Sequence, residues 1–564
     1  MKVQVQGGGK VNLTQREFLA EGGEGKVFVS GGTAYKIYAD PSKMIPEGKI
    51  AELTAITDPR VIRPEKLVYD EKGKVVGFTS KFAPSGGVLC QVFTKGFRDR
   101  EGITPTDMGA LVLKLRSLVA NVHTARVLLV DLNEMNFLLD PALKDVLAID
   151  TASYQTPHYP ATALMESVRD RHAKPLHFTE LTDWFAFAVV TFRMFVGIHP
   201  YKGTHPTVKD LDERMVANLS VLNKDVKVPP TCYPFTNIPP AFLNWYREVF
   251  EGGKRLPPPT GFDGMTVIPV VMHATMQTTA GLNIVELGSF DSDIVGVWER
   301  FGHTVVVTTQ SIYLDGRRAG DAHKGTRGVG FTKSGHPVVA SLDGDTPTLF
   351  DATSRTPVGV GLVGDSLMSY DGRLYLKNLD KIVHVNLTEM GSASQVVATS
   401  EVAVNVLEHA TKLFDGVVVQ NLLGATYVSV FPTQGASLQF RVPELDRAKI
   451  VDAKYDGGVL MVLAARKGTY DRYIFRVNDE SEYDVRVVKD VTPSGLNFIT
   501  LDGGASICVC LTEESKLELF TSQKGSTTIR VVEDKALHGG MRLYKVGGKV
   551  CFTTGTKLYS LSLR

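Results

Sequence analysis

Short turns rich in glycine recur through the second half of the chain, and each precedes an apolar run of alternating character. Successive turns begin 33 to 46 residues apart. A regular spacing of this size is typical of a repeated structural unit, and helical periodicity is almost absent beyond residue 283. The pattern therefore predicts an array of short antiparallel strands. The turns begin at Gly302, Gly335, Asp371, Asp415, Asp456, Asp502 and Gly547.

This spacing fits a unit of four strands, since a four-stranded blade needs about 40 to 50 residues. We predict that residues 263–564 form an all-β propeller of about seven blades, with a pair of β-sandwiches as the alternative. Closing such a ring removes exposed sheet edges, so we expect the last strand, Lys557–Leu561, to pair near Ile284. The stretch from Gly252 to Gly261, rich in proline and glycine, marks the boundary.

Polar residues in the first half interrupt two apolar runs. Asp131 and Asn136 lie five residues apart, and a short predicted hairpin then leads to Asp150. Carboxylate and amide oxygens that face one point can hold Mg²⁺ against phosphate groups, because this hard ion prefers oxygen ligands. A solvated turn between two strands is the alternative.

A glycine cluster lies between two predicted strands near the N-terminus. Gly22, Gly23 and Gly25 allow the backbone amides to approach a phosphate group closely, although a plain hairpin turn would use the same residues. Lys36 follows on a short apolar strand, where it could be a solvated edge residue.

Three helices are predicted in the first half. Residues 45–56 and 106–124 show helical spacing of apolar residues, and Thr106 is placed to cap the second helix. Residues 182–195 are apolar on every side, which predicts a buried helix. A buried helix led by Asp183 and ended by a Gly-x-x-Pro-aromatic turn resembles the protein-kinase helix that anchors the catalytic loop, and this resemblance implies that Asp183 accepts hydrogen bonds from backbone amides of the loop around Asp131.

These segments, in this order, resemble the protein-kinase superfamily, and in detail a bacterial and phage branch of Ser/Thr kinase-like proteins. The resemblance covers about residues 10–260. It implies an α+β two-lobed protein kinase-like domain over residues 1–262, with one lobe at about 1–82 and the other at about 83–262. The predicted fold class is therefore this domain followed by the all-β propeller.

The resemblance also implies a role for each candidate residue. Asp131 and Lys36 would be catalytic, and Lys81–Ala83 would meet adenine. Glu47 would pair with Lys36, with Glu52 as the alternative. The implied ligands fall into two sets, namely Gly22, Gly23, Gly25, Lys36 and Glu47 for ATP, and Asn136 and Asp150 for Mg²⁺.

The expected function is that of an ATP- and Mg²⁺-dependent Ser/Thr protein kinase whose propeller face recruits a protein substrate or an assembly partner. The His-Arg pair that usually precedes the catalytic Asp is Leu129-Val130 here, so an inactive pseudokinase scaffold, of phage or bacterial origin, is the alternative.

Composition narrows the partners and the location. A net charge of +1 gives no field that would attract nucleic acid or a membrane. No apolar run approaches the roughly 20 residues of a membrane span, and the N-terminus lacks the apolar segment of a signal peptide. The five cysteines are scattered, which favours a reduced, cytoplasmic protein, with a virion as the alternative location.

Overall fold

The structure is a computed structural model of the 564-residue chain. It describes residues 1–262, 278–359, 361–391, 395–431, 437–501, 506–526 and 528–564.

An antiparallel sheet forms the N-terminal part. Its strands follow the order β2-β1-β6-β7-β5-β4-β3, so that β5, the strand carrying Lys36, lies between β7 and β4. Apolar residues that alternate along these strands, such as Phe28 and Ile37, are buried on one face. The strands are β1 Lys2–Val5, β2 Lys10–Asn12, β3 Phe18–Glu21, β4 Gly25–Ser30, β5 Thr33–Tyr38, β6 Pro64–Tyr69 and β7 Val75–Lys81.

The helices of the described chain all lie before residue 263, apart from one short 3₁₀ turn. The α-helices are α1 Glu47–Leu53, α2 Lys95–Glu101, α3 Pro105–Thr124, α4 Glu180–Val196, α5 Leu211–Val216 and α6 Pro240–Phe250. The 3₁₀ turns are Pro41–Lys43, Leu89–Phe93, Thr151–Ser153, Glu166–Val168, Phe235–Asn237 and Pro443–Leu445.

The ends of the two long helices have local causes. The cap of α3 is Thr104, not the predicted Thr106. The Thr104 hydroxyl accepts a hydrogen bond from the backbone amide of Asp107, and the Asp107 carboxylate accepts one from the backbone amide of Thr104. Helix α4 ends at Gly197, whose φ of 87° is left-handed and favours glycine. Helix α4 is buried along nearly its whole length, as its apolar sequence predicts.

A small three-stranded sheet carries the polar loop. Its strands are β8 Gly87–Val88, β9 Phe137–Leu139 and β10 Val146–Ala148. Strands β9 and β10 form a hairpin in which Phe137 pairs with Ala148, so the residues just before β9 and just after β10 lie side by side. These residues are Asn136 and Asp150.

The remaining strands form an all-β region. In the described part of the chain they make seven separate antiparallel sheets of four strands each. The first three are β12 Ile294–Arg300, β13 His303–Thr308, β14 Ser311–Leu314, β15 Arg317–Asp321; β16 Thr326–Phe331, β17 Pro337–Leu342, β18 Pro347–Asp351, β19 Thr356–Val358; and β20 Ser366–Tyr370, β21 Arg373–Asn378, β22 Lys381–Met390, β23 Gln395–Asn405. The other four are β24 Thr411–Phe414, β25 Val417–Leu422, β26 Ala425–Val430, β27 Leu438–Arg441; β28 Lys449–Asp456, β29 Val459–Arg466, β30 Thr469–Val477, β31 Tyr483–Val488; β32 Phe498–Leu501, β33 Ile507–Leu511, β34 Leu517–Thr521, β35 Ile529–Val532; and β36 Arg542–Val546, β37 Lys549–Thr554, β38 Lys557–Leu563 with β11 Leu282–Ser289.

The predicted strands and their closing pair are confirmed. Each strand predicted after a glycine-rich turn lies next to the edge strand that precedes it in the chain. In the last sheet, for example, β37 lies next to the edge strand β36. The turn at Asp502 lies outside the described residues, although β33 follows it. Strand β11 completes the last sheet by pairing with β38, where Ile284 faces Leu561.

The fold class predicted from the sequence is wrong. The molecule is mostly sheet, with 41% of residues in strands against 16% in helices, and a kinase-like α+β lobe is not evident. Several separate antiparallel sheets make up the chain, and its C-terminal strands fit an all-β region. The order of polar motifs fixed which residues could meet but not the architecture around them, since the same motifs fit several folds.

The division of the chain at residues 262 and 263 stays a prediction, and the residues from 263 to 277 lie outside those described. The two sides of that division pack tightly against each other. The core that contains helix α4 extends into the all-β region, with Val451, Leu463 and Tyr470 among its buried members. The side-chain amide of Gln91 donates to the Val451 carbonyl at 3.2 Å, and the backbone amide of Lys95 donates to the Ser494 carbonyl at 2.8 Å.

Across the described residues, no helix is both long and apolar enough to cross a membrane.

Candidate functional site

A large cavity lies between the N-terminal sheet and the all-β region. Its volume is about 2190 Å³, and its walls include the glycine turn after β3, the end of β7 and the loops at β9 and β10. The all-β region forms the opposite wall. Six of the predicted site residues line this one cavity: Gly22, Gly23, Gly25, Lys36, Asn136 and Asp150.

Lys36 and Asp150 form an ion pair across the cavity wall. The Lys36 Nζ lies 2.9 Å from Asp150 Oδ1, although 114 residues separate them in the chain. A second carboxylate, that of Glu24, lies 2.6 Å from the same Nζ. Burial by itself would lower the pKa of Lys36, but the charges of Asp150, Glu24 and the nearby Tyr38 raise it above its ordinary value. The lysine is therefore a fixed cation.

The hairpin of β9 and β10 sets the position of Asp150. The Ile149 amide donates to the Asn136 carbonyl at 2.9 Å, which holds the two predicted metal ligands next to each other. Asp150 has a φ of 56°, a left-handed conformation that Asp adopts more readily than most residues. This backbone turn directs its carboxylate toward Lys36.

Asp131 is bound by its own loop. Asn136 Nδ2 donates to the Asp131 carbonyl at 2.9 Å and to Oδ2 at 3.1 Å, while the Met165 amide donates to Oδ1 at 2.6 Å. Burial raises the pKa of Asp131, and the nearby charge of Asp150 acts in the same direction, against the bonds from Asn133, Met165 and Asn136. Asp131 is thus a buried carboxyl that neighbours the Lys36–Asp150 pair.

Helix α4 supports this loop through Asp183, which confirms the role predicted for that residue. Its carboxylate accepts the amides of Leu129 and Val130, each at 2.8 Å. His123 Nε2 lies 2.9 Å from the same carboxylate. Such bonds matter because Val130 has a φ of 61°, which is strained for a β-branched residue.

The three glycines at the turn after β3 have different structural roles. The Gly22 amide donates to the Gly25 carbonyl at 2.9 Å and closes a tight turn. A Cβ on Gly25 would lie 2.1 Å from the Ile37 carbonyl oxygen, so this glycine allows β4 and β5 to approach. Gly22 and Gly23 face open space, where a ligand could come close to the backbone.

The predicted partner of Lys36 is wrong. Glu47 does not reach the lysine: its carboxylate accepts the side-chain amide of Gln6 at 3.1 Å. Glu52, the alternative, is bound to His158. Helix α1 is short and keeps both acids on its outer side, so Glu24 in the glycine turn takes the place assigned to Glu47. The signal for Glu24 was an acid between two glycines, directly before β4, the strand that precedes the Lys36 strand.

The donor atoms fit a hard divalent ion. The side-chain amide nitrogen of Asn136 donates both of its hydrogen bonds to Asp131. The amide oxygen of Asn136, Oδ1, can therefore act as a ligand beside the Asp150 carboxylate. Within the described ranges there is no group of three or more His, Cys, Asp or Glu that could hold a metal by protein ligands alone. A metal here would need further oxygen ligands from phosphate groups.

A cluster beneath the loop was not predicted. Glu134 is fully buried and lies 2.5 Å from Arg193 Nη1 of helix α4, and it accepts the Tyr470 hydroxyl at 2.7 Å. Tyr470 belongs to β30 of the all-β region, 336 residues away in the chain. No local sequence pattern connects positions so far apart.

Comparison with known proteins adds little to this geometry. No protein family matches the sequence. No curated protein matches it either. Among solved structures, the chain is weakly similar to the kinase PK-1 of Cydia pomonella granulovirus, at 14% identity over 38% of this chain and 74% of that chain, with a TM-score of 0.28. A similarity this weak supports no argument about fold or function.

Proposed function

We propose that this chain is an ATP- and Mg²⁺-dependent phosphotransferase that acts on a hydroxyl group of Ser/Thr type. We further propose that its all-β region binds the protein substrate or an assembly partner. The single observation that carries the proposal is the meeting of Lys36, Asp150 and Asn136 at one cavity wall, with Asp131 hydrogen-bonded to Asn136, although they lie in separate parts of the chain.

Phosphoryl transfer needs positioning and neutralisation of negative charge, and little covalent help from the protein. Lys36 would hold the phosphates, Gly22 and Gly23 would offer backbone amides, and Asn136 and Asp150 would be metal ligands. Mg²⁺, when bound, supplies positive charge to the β- and γ-phosphates. The bond between the γ-phosphorus and its bridging oxygen breaks as the substrate hydroxyl forms a new bond to phosphorus. Asp131 would take the hydroxyl proton.

A catalytically inactive scaffold is the second candidate, and one observation favours it. Both carboxylate oxygens of Asp131 already accept hydrogen bonds, from the Met165 amide and from Asn136. A carboxylate engaged in this way must release one bond before it can orient a hydroxyl group.

Thermal stability with and without nucleotide tests the binding step. Mg²⁺ and ATP at 100 times the dissociation constant should stabilise the native chain by about 2.7 kcal/mol. Lys36→Met should abolish this shift, whereas Lys224→Met, which removes an exposed lysine outside the cavity, should leave it unchanged. Absence of any shift at millimolar ATP in the native protein would sink the binding proposal.

Labelled ATP then separates binding from transfer. Asp131→Asn should retain the ATP-induced thermal shift and lose transfer of labelled phosphate to protein Ser or Thr. Asp225→Asn changes an exposed carboxylate away from the cavity and serves as the matched control. Nucleotide binding without transfer in the native chain would favour the inactive scaffold.

A further inference from the structure

Two lysines on the far wall of the cavity have no counter-charge. Lys412 lies on β24 and Lys449 on β28, and both line the cavity. The strands are neighbours, since their ends are joined by a parallel bridge between Asp415 and Lys454. Neither ammonium group has a hydrogen-bond or ion-pair partner within the described part of the chain.

The surroundings make these charges costly. Lys412 is exposed to the cavity, but the protein around the cavity desolvates its ammonium group, and the charge of Lys449 adds repulsion, so its pKa is lowered to about 8. Burial also lowers the pKa of Lys449. The other ionisable group that acts on both lysines is the buried Cys90 thiol, and no carboxylate does so among the described residues.

We propose that Lys412 and Lys449 form a binding site for a phosphate-bearing small molecule, separate from the site around Lys36. Lysine ammonium groups bind phosphate as point charges. Two negative charges on the ligand would balance the two cations that the protein leaves unpaired. The site does not depend on the proposed phosphotransferase function.

The size and the walls of the cavity allow a second ligand. Sites for one small molecule usually occupy about 300 to 1,000 Å³, and this cavity has about 2190 Å³. Lys36 is on β5 of the N-terminal sheet, whereas the lysine pair belongs to the all-β region. Val451 lies two residues after Lys449 on β28. Its carbonyl accepts a hydrogen bond from the side-chain amide of Gln91.

Equilibrium dialysis of labelled inorganic pyrophosphate, without added metal, tests the site in the full-length chain. The native protein and Lys36→Met should both bind the probe. Lys412→Met with Lys449→Met should weaken binding at least tenfold. The control is Lys333→Met with Lys535→Met, which removes the same charge from exposed positions outside the cavity.

The paired substitution removes two unfavourable charges, so the variant should fold, and its unfolding midpoint without ligand checks this. Pyrophosphate should raise the midpoint of the native chain but not that of the paired variant. Equal binding by the paired variant and the control would overturn the site. Loss of binding in Lys36→Met alone, or no binding to the native protein at millimolar pyrophosphate, would also overturn it. Failure of transfer from ATP, with pyrophosphate binding retained, would count against the proposed function only.

Discussion

At the scale of single residues, Glu24 decides how available Lys36 is to a ligand. Its carboxylate lies 2.6 Å from the lysine ammonium group, where the proposed function needs a phosphate. Glu24 has a side chain 43% exposed, so water screens the pair and its strength is modest. A nucleotide that binds Lys36 must displace this carboxylate or share the cation with it.

Glu24→Gln should therefore tighten the binding of Mg²⁺ and ATP. Removing the competing charge should lower the dissociation constant by about 1.4- to fivefold, since an exposed pair is worth about 0.2–1 kcal/mol. Calorimetric titration measures this directly. Glu71→Gln, in an exposed turn, is the matched control. Weaker binding by the Glu24 variant would show that this carboxylate assists the nucleotide instead.

The lowered pKa of Lys412 predicts how the stability of the native protein depends on pH. Its folded-state pKa of about 8 lies below the usual value of about 10.5, so the unfolded chain binds more protons between these two values. Stability of the native protein relative to Lys412→Met should rise as pH increases from 8 to 10.5. Lys449 is the charged group that faces it, and the nearby Cys90 thiol stays neutral over this range because burial raises its pKa to about 12. Denaturant midpoints of both proteins across this range supply the measurement, and a difference that stays flat would contradict it.

At the scale of elements, a strand of the all-β region helps to hold the polar loop between Asp131 and Asn136 in place. Glu134, in the loop between Asp131 and Asn136, is held by Arg193 of α4 and by the Tyr470 hydroxyl of β30. Burial by itself would lower the pKa of Arg193, but the Glu134 carboxylate raises it, so the guanidinium group stays charged. A buried carboxylate needs all of its partners, because an unpaired charge in a core is costly.

Tyr470→Phe should weaken this support. The lost hydrogen bond to a buried charge should cost about 1.5–3 kcal/mol of stability and slow phosphoryl transfer more than it weakens ATP binding. Tyr473→Phe, on the same strand, removes a hydroxyl without a hydrogen bond in the described structure. Urea denaturation and single-turnover transfer give the two readouts. Equal stability of the two variants would mean that Glu134 does not depend on Tyr470.

What the sequence predicts well at this scale is local. The repeated turns predict the second strands of the sheets, and the apolar run before Gly197 predicts a buried helix, because both depend on short-range periodicity. The partner of Lys36 was missed since it depends on how far α1 reaches. The contact between Glu134 and Tyr470 spans 336 residues and leaves no local pattern. The fold class was wrong because a set of motifs defines a site, not the layers around it.

At the scale of the whole molecule, the helical part and the all-β region share one interface and one core. Ion pairs join them, such as Lys202 with Asp490 and Arg100 with Asp452. The Lys95 ammonium group donates to the Gly539 carbonyl at 3.0 Å. Since the cavity is formed by both sides, its shape depends on this interface, and a ligand bound in it should stabilise both.

Gly539→Val tests whether the two sides unfold as a unit. A Cβ at this position would lie 2.5 Å from the Thr231 Cα and 2.6 Å from the Pro230 carbonyl oxygen. Backbone atoms cannot rotate away, so the interface must open, at a cost of about 1–3 kcal/mol for overpacking. Calorimetry should show a lower unfolding midpoint and a broadened or divided transition where the native chain gives one. Gly361→Val, with open space at its Cβ, should melt like the native protein. If both variants melt alike, the contact at Gly539 does not couple the two sides, and the cavity owes its shape to the contacts nearer Glu134.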